Sequence, residues 1–236
     1  MSKFSQKIIR IFFPQKCELC GKIIPVEKEK CLCYEEGIKR LSGNFCDTCG
    51  QDKDNCICTE NQIKLNHITA PFSYSGFIKK YIHAFKFGGK KHFYRKLGKE
   101  MSHRFVVSYP GIKADMVTFV PLSEKSYSER GYNQSELLAK EVAKNLSVSF
   151  QPLLKKIRET EKQHLLSASK RRTNLENAFC LNGNADIING KTIILCDDIK
   201  TTGYTFYICS EMLLKSGAKD VYCLSAAISE FESLPF

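Results

Sequence analysis

The stretch from Ile193 to Thr205 constrains this chain more than any other. Ile193-Ile194-Leu195-Cys196 is a short apolar run, Asp197 and Asp198 follow at once, and Thr201-Thr202-Gly203-Tyr204-Thr205 leads into the helical pattern of Phe206 to Lys215. An apolar run of that length between turn signals reads as a buried strand of a parallel sheet covered by helices. Acids at its carboxyl end stand at the sheet edge where open α/β folds bind their ligands. Two carboxylates there can accept hydrogen bonds from vicinal ribose hydroxyls. A Thr- and Gly-rich turn opening a helix presents N–H groups, hydroxyls and the positive end of the helix dipole, which suits a phosphate monoester. The segment therefore reads as a sugar-phosphate site.

The surrounding pattern agrees. Residues 67–74 read as a strand broken by Pro71, Phe77 to Phe85 as one helix ended by Gly88-Gly89, and Phe93 to Val106 as a second helix. Met116 to Pro121 is an apolar strand, and Leu137, Leu138, Val142 and Ala143 mark a helix face. Val148 to Leu153 and Val221 to Ala226 read as further strands. Alternating strands and helices predict an α/β fold, a parallel sheet with helices on both faces. Gly190-Lys191-Thr192 is not a nucleotide-binding loop, because it precedes a strand instead of opening a helix.

The first third has another character. Of twelve cysteines, eight lie between Cys17 and Cys58. Cys17/Cys20 and Cys46/Cys49 are Cys-x-x-Cys-Gly knuckles, and Cys31/Cys33 and Cys56/Cys58 are Cys-x-Cys pairs. Clustered thiols of this spacing read as structural zinc ligands. In chain order, Cys17, Cys20, Cys31 and Cys33 would hold one ion and Cys46, Cys49, Cys56 and Cys58 a second. The rival is a single ion held by the two Cys-x-x-Cys knuckles. Cys180, Cys196, Cys209 and Cys223 fall in strand or helix patterns and read as core. The predicted division is a zinc-binding module over 1–66, joined by the stretch 59–66 to an α/β domain over 67–236.

The net charge is +11, and between Pro71 and Pro110 nine basic residues face one acid. A localised basic surface attracts nucleic acid or phosphate ligands. Lys79, Lys80, Lys86, Lys90, Lys91 and Arg95, interleaved with Tyr81, Phe87, Phe93 and Tyr94, are the candidate contacts for single-stranded DNA. No apolar run is long enough to span a bilayer. Met1 to Pro14 is apolar but interrupted by Arg10 and has no cleavage signature, so it reads as a short amphipathic segment in a cytoplasmic protein.

Asp197 to Thr205 resembles the signature of type I phosphoribosyltransferases: apolar residues, two acids, any two residues, Thr-Thr-Gly, any residue, Thr. Every specified position matches. Adding Tyr74-Ser75-Gly76, Lys86-Phe87, Val120 to Ser123, Arg130-Gly131-Tyr132-Asn133-Gln134, Arg158 to Gln163, Arg171 to Leu175 and Ala178-Phe179, with the cysteine pairs in front, the chain resembles the ComF family of competence proteins over nearly its whole length. That resemblance implies a phosphoribosyltransferase-like fold behind a zinc module. It implies a role in natural transformation with single-stranded DNA, beside a ComFA-type helicase at the inner face of the membrane. The phosphoribosyltransferase signature implies 5-phosphoribosyl pyrophosphate or a related phosphosugar as ligand, with Mg2+ neutralising the phosphates. Asp197 and Asp198 would be the catalytic pair. Lys200, Thr201, Thr202, Gly203, Tyr204 and Thr205 would hold the donor, with Ser123 in a pyrophosphate-facing loop and Arg130 behind it. Residues 156–179 would form a hood carrying Arg158, Lys162, Lys170, Arg171 and Arg172. No nucleophile or general base stands out, which suits positioning catalysis and equally suits a non-catalytic adaptor for DNA and helicase. A nucleotide-salvage enzyme is a third reading.

Overall fold

The structure is a computed structural model that describes residues 9–17, 21–28, 31–35, 37–56, 58, 65, 67–158 and 178–229. Its centre is a parallel sheet. Strands β1 (Ile68–Thr69) and β2 (Phe72–Ser73) both pair with β8 (Asp220–Ile228). Beyond β8 come β7 (Thr192–Lys200), β3 (Met116–Phe119) and β4 (Ser149–Phe150). β1 and β2 are one edge strand interrupted at Ala70-Pro71, as proline in an edge strand demands. The exposed side of that edge is covered: Ser73 N–H donates to the Lys39 carbonyl at 2.9 Å, and Leu41 N–H to the Pro71 carbonyl at 3.1 Å.

Apolar helix faces close both sides of the sheet. On one, α1 (Gly76–Phe87) buries Ile78, Tyr81, Ile82 and Phe85; α2 (Tyr94–Ser108) buries Leu97, Met101 and Phe105. α4 (Gln134–Leu146) adds Leu138, Ala139, Val142 and Ala143. They cover Val117, Ile194, Cys196 and Leu224. The other face of β7 and β8, with Ile193, Leu195, Val221 and Cys223, lies under α5 (Tyr204–Lys215). The alternation along β7 is what a strand buried on both faces requires. Gly98 lets α2 approach α4: a Cβ there would stand 2.7 Å from Glu141 Cβ.

Two features differ from the sequence expectation. β7 does not stop at Cys196; it stays paired with β8 through Asp197, Ile199 and Lys200. The apolar pattern of β8 continues to Ile228 and keeps the ladder closed after the polar residues begin. Leu154–Lys156 (β5) and Phe179–Leu181 (β6) form a separate antiparallel pair, so the predicted 148–153 strand is shorter and is followed by a second strand. The loop between β5 and β6, with Lys162, Lys170, Arg171 and Arg172, lies outside the described residues; Arg158 is inside them.

Cys196, Cys209 and Cys223 are buried core residues as expected, and Cys180 on β6 is half-buried. The cysteine-rich segment packs on the sheet through buried polar contacts. Arg104 of α2 donates from Nε to Thr69 Oγ1 at 2.8 Å and from Nη1 to the Leu41 carbonyl at 3.1 Å, and its guanidinium lies over the Phe45 ring. Among the described residues no helix is long and apolar enough to cross a membrane.

Candidate functional site

A cleft of about 650 Å³ opens at the carboxyl ends of β3 and β7. It brings together Asp197, Asp198, Thr201, Gly203 and Thr205 with Ser123 and Arg130, which lie some 70 residues earlier in the chain. Lys86, Phe87, Lys156 and Phe179 complete the walls. That size suits a small phosphorylated ligand.

The acidic pair is held from two sides. Ser135 Oγ, in the first turn of α4, donates to Asp197 Oδ1 at 2.7 Å, and the Asp198 N–H donates to the same oxygen at 2.8 Å. Asn133 caps α4 by accepting from the N–H groups of Ser135 and Glu136, and its own amide donates to the Val120 carbonyl. The end of β3, the start of α4 and the acids of β7 thus form one hydrogen-bonded unit. Asp198 Oδ2 pairs with Lys86 Nζ at 2.8 Å, and both side chains are largely covered. Burial, and next the charge of Asp198, hold the Asp197 carboxyl above the ordinary carboxylate range; the Ser135 hydrogen bond and Lys86 pull the other way. A carboxyl poised to lose a proton when a cation arrives suits a site that loads a divalent ion with its ligand.

The turn after β7 leads into a helix N-terminus. Gly203 has φ +84°, a left-handed conformation natural to glycine, and begins α5. Thr201 is exposed and Thr202 and Thr205 are half-buried, all three beside the helix N-terminus. Tyr204 is different: its side chain is buried in the core, and its backbone N–H donates to Thr202 Oγ1 at 3.5 Å.

Other predicted residues take less direct places. Ser123 lines the cleft, but its hydroxyl caps the short helix α3 (Glu124–Arg130), accepting from Ser126 N–H at 3.3 Å. Arg130 donates from Nη1 to Gln134 Oε1 at 3.2 Å and stacks over Phe87, while its buried Nε meets no acceptor among the described residues. The Lys200 stem lines the cleft, but its ammonium turns away and donates to the Cys49 carbonyl at 3.0 Å. Lys79 and Lys80 on α1, Lys90 and Lys91 on the α1–α2 connection and Arg95 in the first turn of α2 are exposed. Lys86 parts company with them and belongs to the cleft. Of the aromatics read as a stacking platform, Tyr81 is core and stacks on Phe93, while Phe87 is exposed at the cleft rim.

The thiols fall into two sets. Cys46, Cys49, Cys56 and Cys58 form one, and Cys17, Cys31 and Cys33 the other; Cys20, the fourth predicted member of the second set, lies outside the described residues. This is the chain-order grouping, not the pairing of the two Cys-x-x-Cys knuckles with each other. In the complete set the sulfurs of Cys46 and Cys58 are 4.0 Å apart and those of Cys49 and Cys56 3.7 Å. A tetrahedral thiolate site with bonds of about 2.3 Å has edges of about 3.8 Å, so the set fits a metal ion of the zinc class.

Sequence missed the role of Lys86, which no local signal separates from its neighbours, and of Ser135, which directly follows the recognised Arg130 to Gln134 stretch.

No family model matches the chain. Competence protein ComFC of Bacillus subtilis (strain 168) is 25% identical over 219 residues, 89% of this chain and 85% of that protein. DNA utilization protein YhgH of Escherichia coli (strain K12) is 27% identical over 216 residues, 88% of each. Competence protein F of Haemophilus influenzae is 35% identical over 103 residues, 43% of this chain and 45% of that one. Solved structures overlap in part. The allosteric regulatory enzyme of purine biosynthesis covers 56% of this chain and 25% of its own, at 22% identity and TM-score 0.37. A hypoxanthine-guanine phosphoribosyltransferase from Bacillus anthracis covers 62% and 76%, at 12% and 0.38. Scores of that size carry no functional weight. The chain is thus similar along most of its length to competence protein ComFC and to DNA utilization protein YhgH, and it carries a parallel sheet that ends in paired acids with a thiol set ahead of it.

Proposed function

We propose that the cleft binds 5-phosphoribosyl pyrophosphate together with a divalent cation, within a protein that handles DNA for competence or DNA utilisation. The observation that carries this reading is the meeting of Asp197 and Asp198 with the Thr201–Thr205 turn in one cleft. The acids face the ribose hydroxyls or a cation-bound water, and the turn takes the 5-phosphate at the start of α5. Arg130 and Lys156 supply positive charge for the pyrophosphate. The oxygen donors fit magnesium, a hard cation that takes most of its ligands from phosphates and water. When bound, it would neutralise the pyrophosphate. The thiol sets fit structural zinc. Residues 1–66 and 67–236 serve as the metal module and the phosphosugar domain.

Calorimetry with 5-phosphoribosyl pyrophosphate and magnesium tests the reading. Wild type is expected to bind in the micromolar range, about −8 kcal/mol, and Asp197→Asn with Asp198→Asn to lose that binding. Failure of wild type to bind would remove the reading.

A second reading, compatible with the first, is contact with single-stranded DNA on the exposed cations of α1, the α1–α2 connection and the start of α2, with a helicase as partner. Its support is the exposure of Lys79, Lys80, Lys90, Lys91 and Arg95 on one stretch. Charge reversal at Lys90, Lys91 and Arg95 should weaken DNA binding and reduce the salt slope by about 2. An unchanged slope sinks that surface.

A further inference from the structure

We infer that Lys200 is a positioning residue through which the Cys46–Cys58 thiol set holds the Thr201–Thr205 turn, so that loading of the thiol set and occupation of the cleft favour each other. The inference rests on the phosphosugar reading of the cleft for its second half only.

The contacts run in an unbroken line. Lys200 is the last residue of β7 and is 3% exposed. Its ammonium donates to the carbonyl of Cys49, itself a member of the thiol set. Its stem lies beneath the turn: a Cβ on Gly203 would stand 3.2 Å from Lys200 Cε. The neighbouring residues of the knuckle grip the same sheet end. Gln51 is buried and donates from Nε2 to the Ser229 carbonyl at 2.8 Å, while Ser229 N–H donates back to the Lys200 carbonyl at 2.9 Å. Gly50, at φ +76°, brings the knuckle so close that a Cβ would stand 2.4 Å from Ile228 Cδ1. The knuckle closes on itself through its backbone, with Gly50 N–H donating to the Cys46 carbonyl and Cys46 N–H to the Gln51 carbonyl, which ties the thiol-bearing residues to the segment that grips the sheet.

The electrostatics run the same way. Four thiolates around a divalent ion leave a net double negative charge. A buried ammonium beside it is a counter-charge, and burying either without the other is costly. Lys200 is therefore held by the loaded thiol set, and the turn is held by Lys200. A segment whose last anchor is a long side chain loosens when that anchor loses its partner. By linkage, whatever the loaded set does for ligand affinity, the ligand does for metal retention by the same factor.

The test is hydrogen–deuterium exchange over residues 201–205 of the full chain, referred to the amides of β3. Wild type, Lys200→Met and Lys200→Arg are compared, each zinc-loaded and after chelation, with metal counted and 5-phosphoribosyl pyrophosphate binding measured by calorimetry. Zinc-loaded Lys200→Met should keep its metal count, exchange about tenfold faster over the turn and bind ligand about tenfold more weakly. Lys200→Arg should recover most of both. Chelation of wild type should speed the same amides, with little further effect in Lys200→Met. Unchanged exchange in zinc-loaded Lys200→Met overturns the inference. If that variant does not fold, chelated wild type decides it, and unchanged exchange there overturns it as well. Wild type that binds no ligand sinks the cleft reading, while the exchange data still judge the role of Lys200.

Discussion

Replacing Lys86 by Met tests how the acidic pair is kept. Lys86 Nζ stands 2.8 Å from Asp198 Oδ2, with side chains 19% and 9% exposed. An exposed pair contributes about 0–1 kcal/mol, and breaking a fully buried one costs about 3–5 kcal/mol. A pair at the wall of an open cleft falls between, at about 2 kcal/mol. For a chain of this size that corresponds to a melting point about 4–8 °C lower. The loss must also depend on pH. The folded-state value of Asp197 is raised, so the fold favours its protonated form. Its contribution is therefore present at low pH and declines as pH climbs from about 4 towards the raised value. Lys86 is one of the groups that hold that value down. Without it the decline runs on to higher pH, and the gap between wild type and Lys86→Met should widen from about pH 6 to about pH 8, as wild-type Asp197 passes through its own value of about 7. Differential scanning calorimetry across that range reads it directly. A gap below about 1 °C at neutral pH, or one that stays constant with pH, would refute the account of Lys86 as the counter-charge of the pair.

Ser135→Ala removes the 2.7 Å hydrogen bond that lowers the Asp197 value, so the pH for half-maximal ligand binding should move upward in a calorimetric pH series. Gly50→Ala forces a Cβ to 2.4 Å from Ile228 Cδ1 at a left-handed φ of +76°, and thermal unfolding should show a loss of about 2–3 kcal/mol. Cys46→Ser with Cys58→Ser should lower the bound metal by one ion per chain, read by cobalt(II) thiolate absorption, while the Cys17 set keeps its share.

Much of this architecture is written locally. The run Ile193-Ile194-Leu195 declares a strand buried on both faces, and Ile78, Tyr81, Ile82 and Phe85 declare a helix face, because burial leaves a period in the chain. The grouping of the thiols follows their spacing. What was not legible depends on partners far away. β7 runs on through Asp197 to Lys200 because β8 stays apolar alongside it, which nothing in β7 itself announces. β5 is three residues, two of them lysine, and becomes a strand only by pairing with β6. Lys79, Lys80 and Lys86 look alike in sequence, yet nearly two turns of helix separate lysines in water from a lysine aimed at Asp198. Lys200 matches a variable position of the signature, and only the packed structure shows its ammonium facing the thiol set.

The covering of β2 by residues 39–41 has a consequence for handling the protein. A parallel sheet cut free along that side would present Phe72 and Ser73 with unpaired backbone groups, a template for joining a second copy. Trimming the chain to its larger part therefore does not yield a simpler version of it. The trimmed piece should associate with itself, and its light-scattering mass should rise with concentration where the full chain holds steady. The cysteine-rich segment acts as a hem on the sheet as well as the carrier of thiol sets that fit a metal ion.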